Sequence, residues 1–141
     1  MKKILLMLLL GIAVVSFSSC KNEKDEAMKQ LQTTLVEVNA ELPIQTDEYF
    51  TWTSAEIADG NWVYNYTVAD TEDGAVIKAS RDNAAELKVQ LRETLSQEAE
   101  FINDSKPLLV KAGLGLKYHY TSETTGDTME VVFTPEEVAD L

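Results

Sequence analysis

A chain of 141 residues with 24 acidic and 12 basic side chains has a net charge of −12, which argues against nucleic acid or an anionic bilayer surface as a partner. Its one cysteine rules out an internal disulfide, and one cysteine with one histidine makes a thiolate- or imidazole-based metal site improbable. At this length one domain is expected, able to bury roughly 65 to 70% of its unfolded surface without covalent staples.

The first segment of the chain reads as an export signal. Lys2 and Lys3 precede an apolar run from Ile4 to Val15, interrupted only by Gly11. A bilayer core needs roughly 20 apolar residues, so this shorter run fits a signal peptide over residues 1–19 better than a membrane span or a core helix. It closes in Phe17-Ser18-Ser19-Cys20, which resembles the lipobox of bacterial lipoproteins, with Phe17 where an aliphatic residue is usual. The resemblance implies diacylglycerol and palmitate on Cys20, and so a protein attached to the membrane of the cell envelope, with the outer membrane as destination. Lipid also accounts for an exported cysteine that has no second thiol to pair with. One acyl chain, at about 0.8 kcal/mol per buried CH₂, holds a protein only marginally, whereas two or three give lasting attachment. Residues 20–26, with the run Lys21-Asn22-Glu23-Lys24-Asp25-Glu26, read as anchor and solvated tether. The same charged run resembles the export signals of Bacteroidota-type surface lipoproteins, which leaves periplasmic and cell-surface orientations both open. Without residues 1–19, ten basic side chains face twenty-four acidic ones, a net charge of −14.

Residues 27–141 form the expected domain. From about Asn22 to Ala40, Met28, Leu31, Leu35 and Val38 recur at three- and four-residue steps, predicting a helix that Pro43 ends. Tyr49 to Ala58 and Asn61 to Ala69 read as strands joined by the hairpin signal Asp59-Gly60. Trp62, Tyr64, Tyr66 and Val68 share one face of the second strand, expected to be buried, with Asn65 and Thr67 on the other. Asp70 to Gly74 is a polar loop. Asn83 and Glu86 mark the start of a long second helix, whose stripe is Leu87, Leu91, Leu95 and Ile102 and whose break is expected at Asn103-Asp104-Ser105. Pro107 then opens a short helical turn closed by Gly113. A third strand carries Leu114, Leu116, Tyr118 and Tyr120 on one face and Lys117, His119 and Thr121 on the other. Gly126 turns into a fourth, in which Met129, Val131 and Phe133 share a face. Thr134-Pro135-Glu136-Glu137 predicts a short C-terminal helix with its own cap.

Tyr64-Asn65-Tyr66-Thr67 and Tyr118-His119-Tyr120-Thr121 form a weak internal repeat. The expectation is an α+β fold of about four mainly antiparallel strands, arranged as two α-β-β halves, with two long helices on the Trp/Tyr face. This texture is similar to that of small uncharacterised Bacteroidota-type lipoproteins, a resemblance that implies no activity.

The sequence carries no Gly-x-Ser-x-Gly, Cys-x-x-Cys, phosphate-binding glycine loop or His-Glu-x-x-His. His119 falls on a polar strand face beside Lys117 and reads as a surface residue. Asp70 to Gly74 resembles the start of a calcium loop, but Gly74 is fifth rather than sixth, and Arg81 stands where a bidentate glutamate belongs. No metal or other cofactor is therefore expected. The tyrosines read as core. If an aromatic belongs to a binding surface, Trp52 is the choice, with His119 as the polar residue to watch. The reading is a non-enzymatic, membrane-anchored envelope lipoprotein that binds an unknown protein or small ligand through an open sheet face or hairpin tips. The alternative is a hydrolase using paired carboxylates.

Overall fold

The computed structural model describes residues 23–141, so residues 1–19, expected as a signal peptide, and Cys20 lie outside the described residues. Helix α1 (Glu23–Glu41) turns Ala27, Leu31, Thr34 and Val38 inward, with Met28 and Leu35 partly buried at the margins of the stripe. Glu23, Asp25 and Glu26 occupy its first turn, where carboxylates complement the positive end of the helix dipole. Most of the charged run expected as tether is therefore helix, and only Lys21 and Asn22 separate Cys20 from α1.

The fold is α+β, built on five strands rather than about four: β1 (Ile44–Gln45), β2 (Phe50–Ala58), β3 (Asn61–Val68), β4 (Gly115–Ser122) and β5 (Thr128–Phe133), in the spatial order 1-2-3-4-5. The fifth is β1, two residues long, too short to show an alternating pattern. Three of the pairings are antiparallel, but β3 and β4 at the centre run parallel. Tight turns make the antiparallel pairs. Asp59 and Gly60 both have positive φ (51° and 76°), as a two-residue turn that matches strand twist requires. A parallel pair needs a long crossover instead, and the helical segment between Val68 and Gly115 supplies it.

That crossover is not one long helix. It comprises α2 (Ala75–Asp82), α3 (Ala84–Gln97), one π-helical turn (Phe101–Ser105) and α4 (Lys106–Ala112). Asn83 does stand at the start of α3, but its side chain donates to the Ala79 carbonyl at 2.8 Å, so it joins two helices rather than capping one. The break after α3 falls at Glu98, which is extended (φ −88°, ψ 110°), and not at Asn103-Asp104-Ser105, which continues as the π turn. Gly113 ends α4 in the left-handed conformation. Helix α5 (Pro135–Ala139) opens with the expected capping box between Thr134 and Glu137.

The four longer strands, β2 to β5, follow from one packing decision. Trp52, Trp62, Tyr64, Tyr66, Val68, Leu116, Tyr118, Tyr120, Met129, Val131 and Phe133 point into a core closed by Leu31, Ile77, Leu91, Leu95, Phe101, Leu109 and Val138 from the helices. The tyrosine repeat has a different meaning from two equivalent halves. Its copies lie side by side in the parallel pair, in exact register from Tyr64 opposite Tyr118 to Thr67 opposite Thr121. Like rings thus stack on like: Tyr64 on Tyr118 at 4.5 Å and Tyr66 on Tyr120 at 5.1 Å. Trp52 and Phe133 extend this aromatic layer to either side, at 5.8 Å from Tyr64 and 6.4 Å from Tyr118. Pairs of this kind add about 0.5–1.5 kcal/mol each to the burial of their area.

The outer edge of β2 is closed by a side chain. Beyond β1, Asn39 of α1 donates to the Ala55 carbonyl and accepts from the Ala55 amide, both at 2.9 Å, as a neighbouring strand would. At the start of β4, Gly115 permits a close approach that no larger residue would, since a methyl group there would run into the Phe133 carbonyl and the Asn61 side chain.

Candidate functional site

With the helices packed on the Trp/Tyr side, the opposite face of the sheet carries the alternate residues of every strand. Period-two alternation decides which side chains point there, and strand register decides which ones meet. Register lines them up in rows that cross the sheet. One row is Thr51, Thr67, Thr121 and Thr128, and the next is Ser54, Asn65, His119 and Glu130. A third row holds Glu56, Val63, Lys117 and Val132.

The middle row is bonded as two pairs, one on either side of the β3–β4 seam. Asn65 Nδ2 donates to Ser54 Oγ at 3.1 Å, and Thr53 Oγ1 donates to the Asn65 carbonyl at 3.0 Å. His119 Nδ1 lies 3.0 Å from Glu130 Oε1, and its Nε2 lies 3.3 Å from Thr121 Oγ1. With Nδ1 donating to the carboxylate, Nε2 is left to accept from the threonine hydroxyl. Lys117 approaches the other oxygen of Glu130 at 3.8 Å. His119 is a half-exposed surface residue beside Lys117, as expected, but both its nitrogens are engaged within the face.

Trp52 is not part of any surface. It is only 2% exposed, and its indole nitrogen donates to the Ser54 carbonyl at 3.0 Å. The reason is a β-bulge between Trp52 and Ser54, which resets the alternation within β2. Before the bulge Phe50 and Trp52 face the core, and after it Ala55 does while Ser54 and Glu56 point outward. Strict alternation mixes these two sets. Asn65, Thr67, Thr121, Glu130 and Lys117 become visible as a group only once the strands are paired.

A groove of about 460 Å³ lies at the other side, where β2 begins beside the junction of α2 and α3. Phe50, Ala79 and Leu87 form its apolar part, and Ser80, Asn83, Glu86 and Gln90 its polar part.

Three acids outside the open face, Asp70, Asp73 and Glu137, serve the fold. Asp70 accepts from the amides of Thr71, Val76 and Ile77 and so caps α2 from the preceding loop, where the calcium-loop reading had its first ligand. Desolvation works against its charge, but bonds from Ser122 and these amides outweigh it and hold the carboxyl below its ordinary range. A bond from the Thr71 hydroxyl does the same for Asp73, and Lys88 with the Thr134 amide and Arg92 does so for Glu137. A carboxyl that gives up a proton as general acid near neutral pH must be pushed up instead. Among the described residues no three His, Cys, Asp or Glu side chains converge as metal ligands.

No family model matches the chain, and no curated protein matches it. It is similar in fold to a Pseudomonas aeruginosa protein of known crystal structure, provisionally described as secreted. The TM-score is 0.64 at 15% identity, over 85% of this chain and 99% of that one, a likeness that establishes the shared fold. Among the described residues no helix is long and apolar enough to cross a membrane.

Proposed function

We propose that this is a lipoprotein of the bacterial cell envelope, held at the outer membrane by acyl chains on Cys20, that binds a partner without catalysing a reaction. One observation carries the binding part of this reading. Three rows of polar and apolar side chains cross the sheet in register on the face turned away from the helices. Apart from the buried Val63 they reach solvent, and Ser54 with Asn65, and His119 with Glu130 and Thr121, are already ordered by mutual hydrogen bonds. Such a face presents side chains from four adjacent strands together. It suits a protein surface, which it would meet with side chains that lose little further freedom on contact. The signal segment and the lipobox resemblance support the address, and the secreted description of the structural neighbour is in keeping with it.

The test is photocrosslinking in intact cells, with a photoreactive side chain introduced at Thr67 or Thr121 on the open face, or at Gln32 or Val36 on the exposed side of α1. Discrete adducts from the first pair alone are expected. Adducts from α1 alone, or from none of the four positions, would overturn the assignment of the binding face.

A further inference from the structure

The short spacing between Cys20 and α1 orients the domain, an inference that rests on the lipid anchor proposed above. Only Lys21 and Asn22 lie between the cysteine and Glu23. Even fully extended, the three residue steps reach no more than about 11 Å. The first turn of α1 is therefore kept at the headgroup layer.

That turn sits at one particular end of the sheet. Lys24 Nζ lies 4.0 Å from where a side-chain carbon on Gly113 would stand, which brings the start of α1 beside the end of α4. Two residues on, the Gly115 amide donates to the Gly60 carbonyl at 3.0 Å, so the β2–β3 turn belongs to the same end. The opposite end holds Val68, Ser122 and Phe50, because Phe50 pairs with Val68 and the Glu123 amide donates to the Val68 carbonyl. Strand β4 spans from one end to the other, and its eight residues cover about 23 Å at roughly 3.3 Å per step.

We propose that the end of the domain formed by the first turn of α1, the end of α4 and the Asp59–Gly60 turn docks on the lipid headgroups, with the groove beside Phe50 opening at the membrane-distal end. The open sheet face then stands as a wall rising from the bilayer, reachable from the side. The docking end mixes Lys24 and Lys111 with Glu23, Asp25 and Asp59. Its contact with lipid is imposed by the tether rather than by charge, and it should form on zwitterionic phosphatidylcholine and survive salt that screens exposed charges.

The experiment uses the lipidated full-length protein in phosphatidylcholine vesicles. Cys20 is the only native cysteine and is blocked by lipid, so thiol-reactive fluorophores report on Lys111→Cys or Glu123→Cys alone. A headgroup-attached nitroxide should quench the Lys111→Cys label several-fold more than the Glu123→Cys label. Insertion of twelve glycine and serine residues after Asn22 should bring the two close to equality. Protein that floats with vesicles yet shows equal quenching at both positions, or a difference that the insertion leaves intact, would overturn the orientation while the anchor stands. Protein that carries no fatty acid and does not float would overturn both.

Discussion

Tyr66 separates what its ring contributes from what its hydroxyl costs. The ring is 3% exposed and stacks on Tyr120 at 5.1 Å, while the hydroxyl is buried with no hydrogen-bond partner among the described residues. Tyr66→Ala removes a large buried aromatic and leaves a cavity between Trp52 and Tyr120, a loss of about 3–5 kcal/mol. Tyr66→Phe keeps the ring and deletes only the unpaired polar atom. An unsatisfied buried group costs about 1–3 kcal/mol, so this variant should match or exceed the wild type, by about 1 kcal/mol. For a domain of this size that is a rise of about 4 °C in Tm. Urea unfolding followed by tryptophan fluorescence is the assay, since Trp52 and Trp62 are both 2% exposed and will report their release into water. If Tyr66→Phe lost about 1 kcal/mol or more, the hydroxyl would have a partner and the reasoning about its cost would be wrong. If Tyr66→Ala unfolded at the wild-type midpoint, the ring would not be in the core at all.

Asn39→Ala removes both bonds that close the edge of β2 at Ala55, and urea midpoints should register a loss of about 1–2 kcal/mol; no change would mean that water replaces the amide at no cost. Asp70, Asp73 and Glu137 are all held below their ordinary range when folded. The stability they add is therefore complete above their unfolded pKa values near 4 and disappears as pH falls through the lower folded values. Thermal unfolding should accordingly be flat from neutral pH to about 5 and decline below about 4. Asp70→Asn should lower Tm at pH 7 and flatten the acid decline, and a wild-type Tm that rises on acidification through this range would contradict the linkage.

Much of this architecture was legible in residue patterns that depend only on neighbours. The Asp59-Gly60 turn, the Thr134-Pro135-Glu136-Glu137 cap and the inward faces of β3, β4 and β5 are set by local backbone and by period-two burial, and each appears where expected. What was hidden depends on contacts distant in sequence. The tyrosine repeat was visible as a repeat, but nothing local says that its copies stack across a parallel pair. The bulge at Trp52 is a property of pairing with β3, so the exposure of Trp52 could not be read from alternation within β2 alone. Helix α2 is only eight residues long and follows directly on the loop that Asp70 organises, so about two turns of apolar spacing were too short to separate it from that loop. For the open face, His119 and Thr121 were identifiable as polar-face residues of one strand, whereas Asn65 and Glu130 became their neighbours only through register.

The claim on which the rest depends is that Cys20 carries the lipid that holds this domain at the membrane. Labelled palmitate, followed with membrane fractionation of wild type and Cys20→Ala, tests it directly. Wild type should incorporate label and sediment with membranes. Cys20→Ala should still be exported, because Lys2, Lys3 and the apolar run are intact, but it should incorporate no label and leave the membrane fraction with its domain folded. Unlabelled wild type, or a Cys20→Ala protein that stays in the membrane with residues 1–19 still attached, would contradict the account.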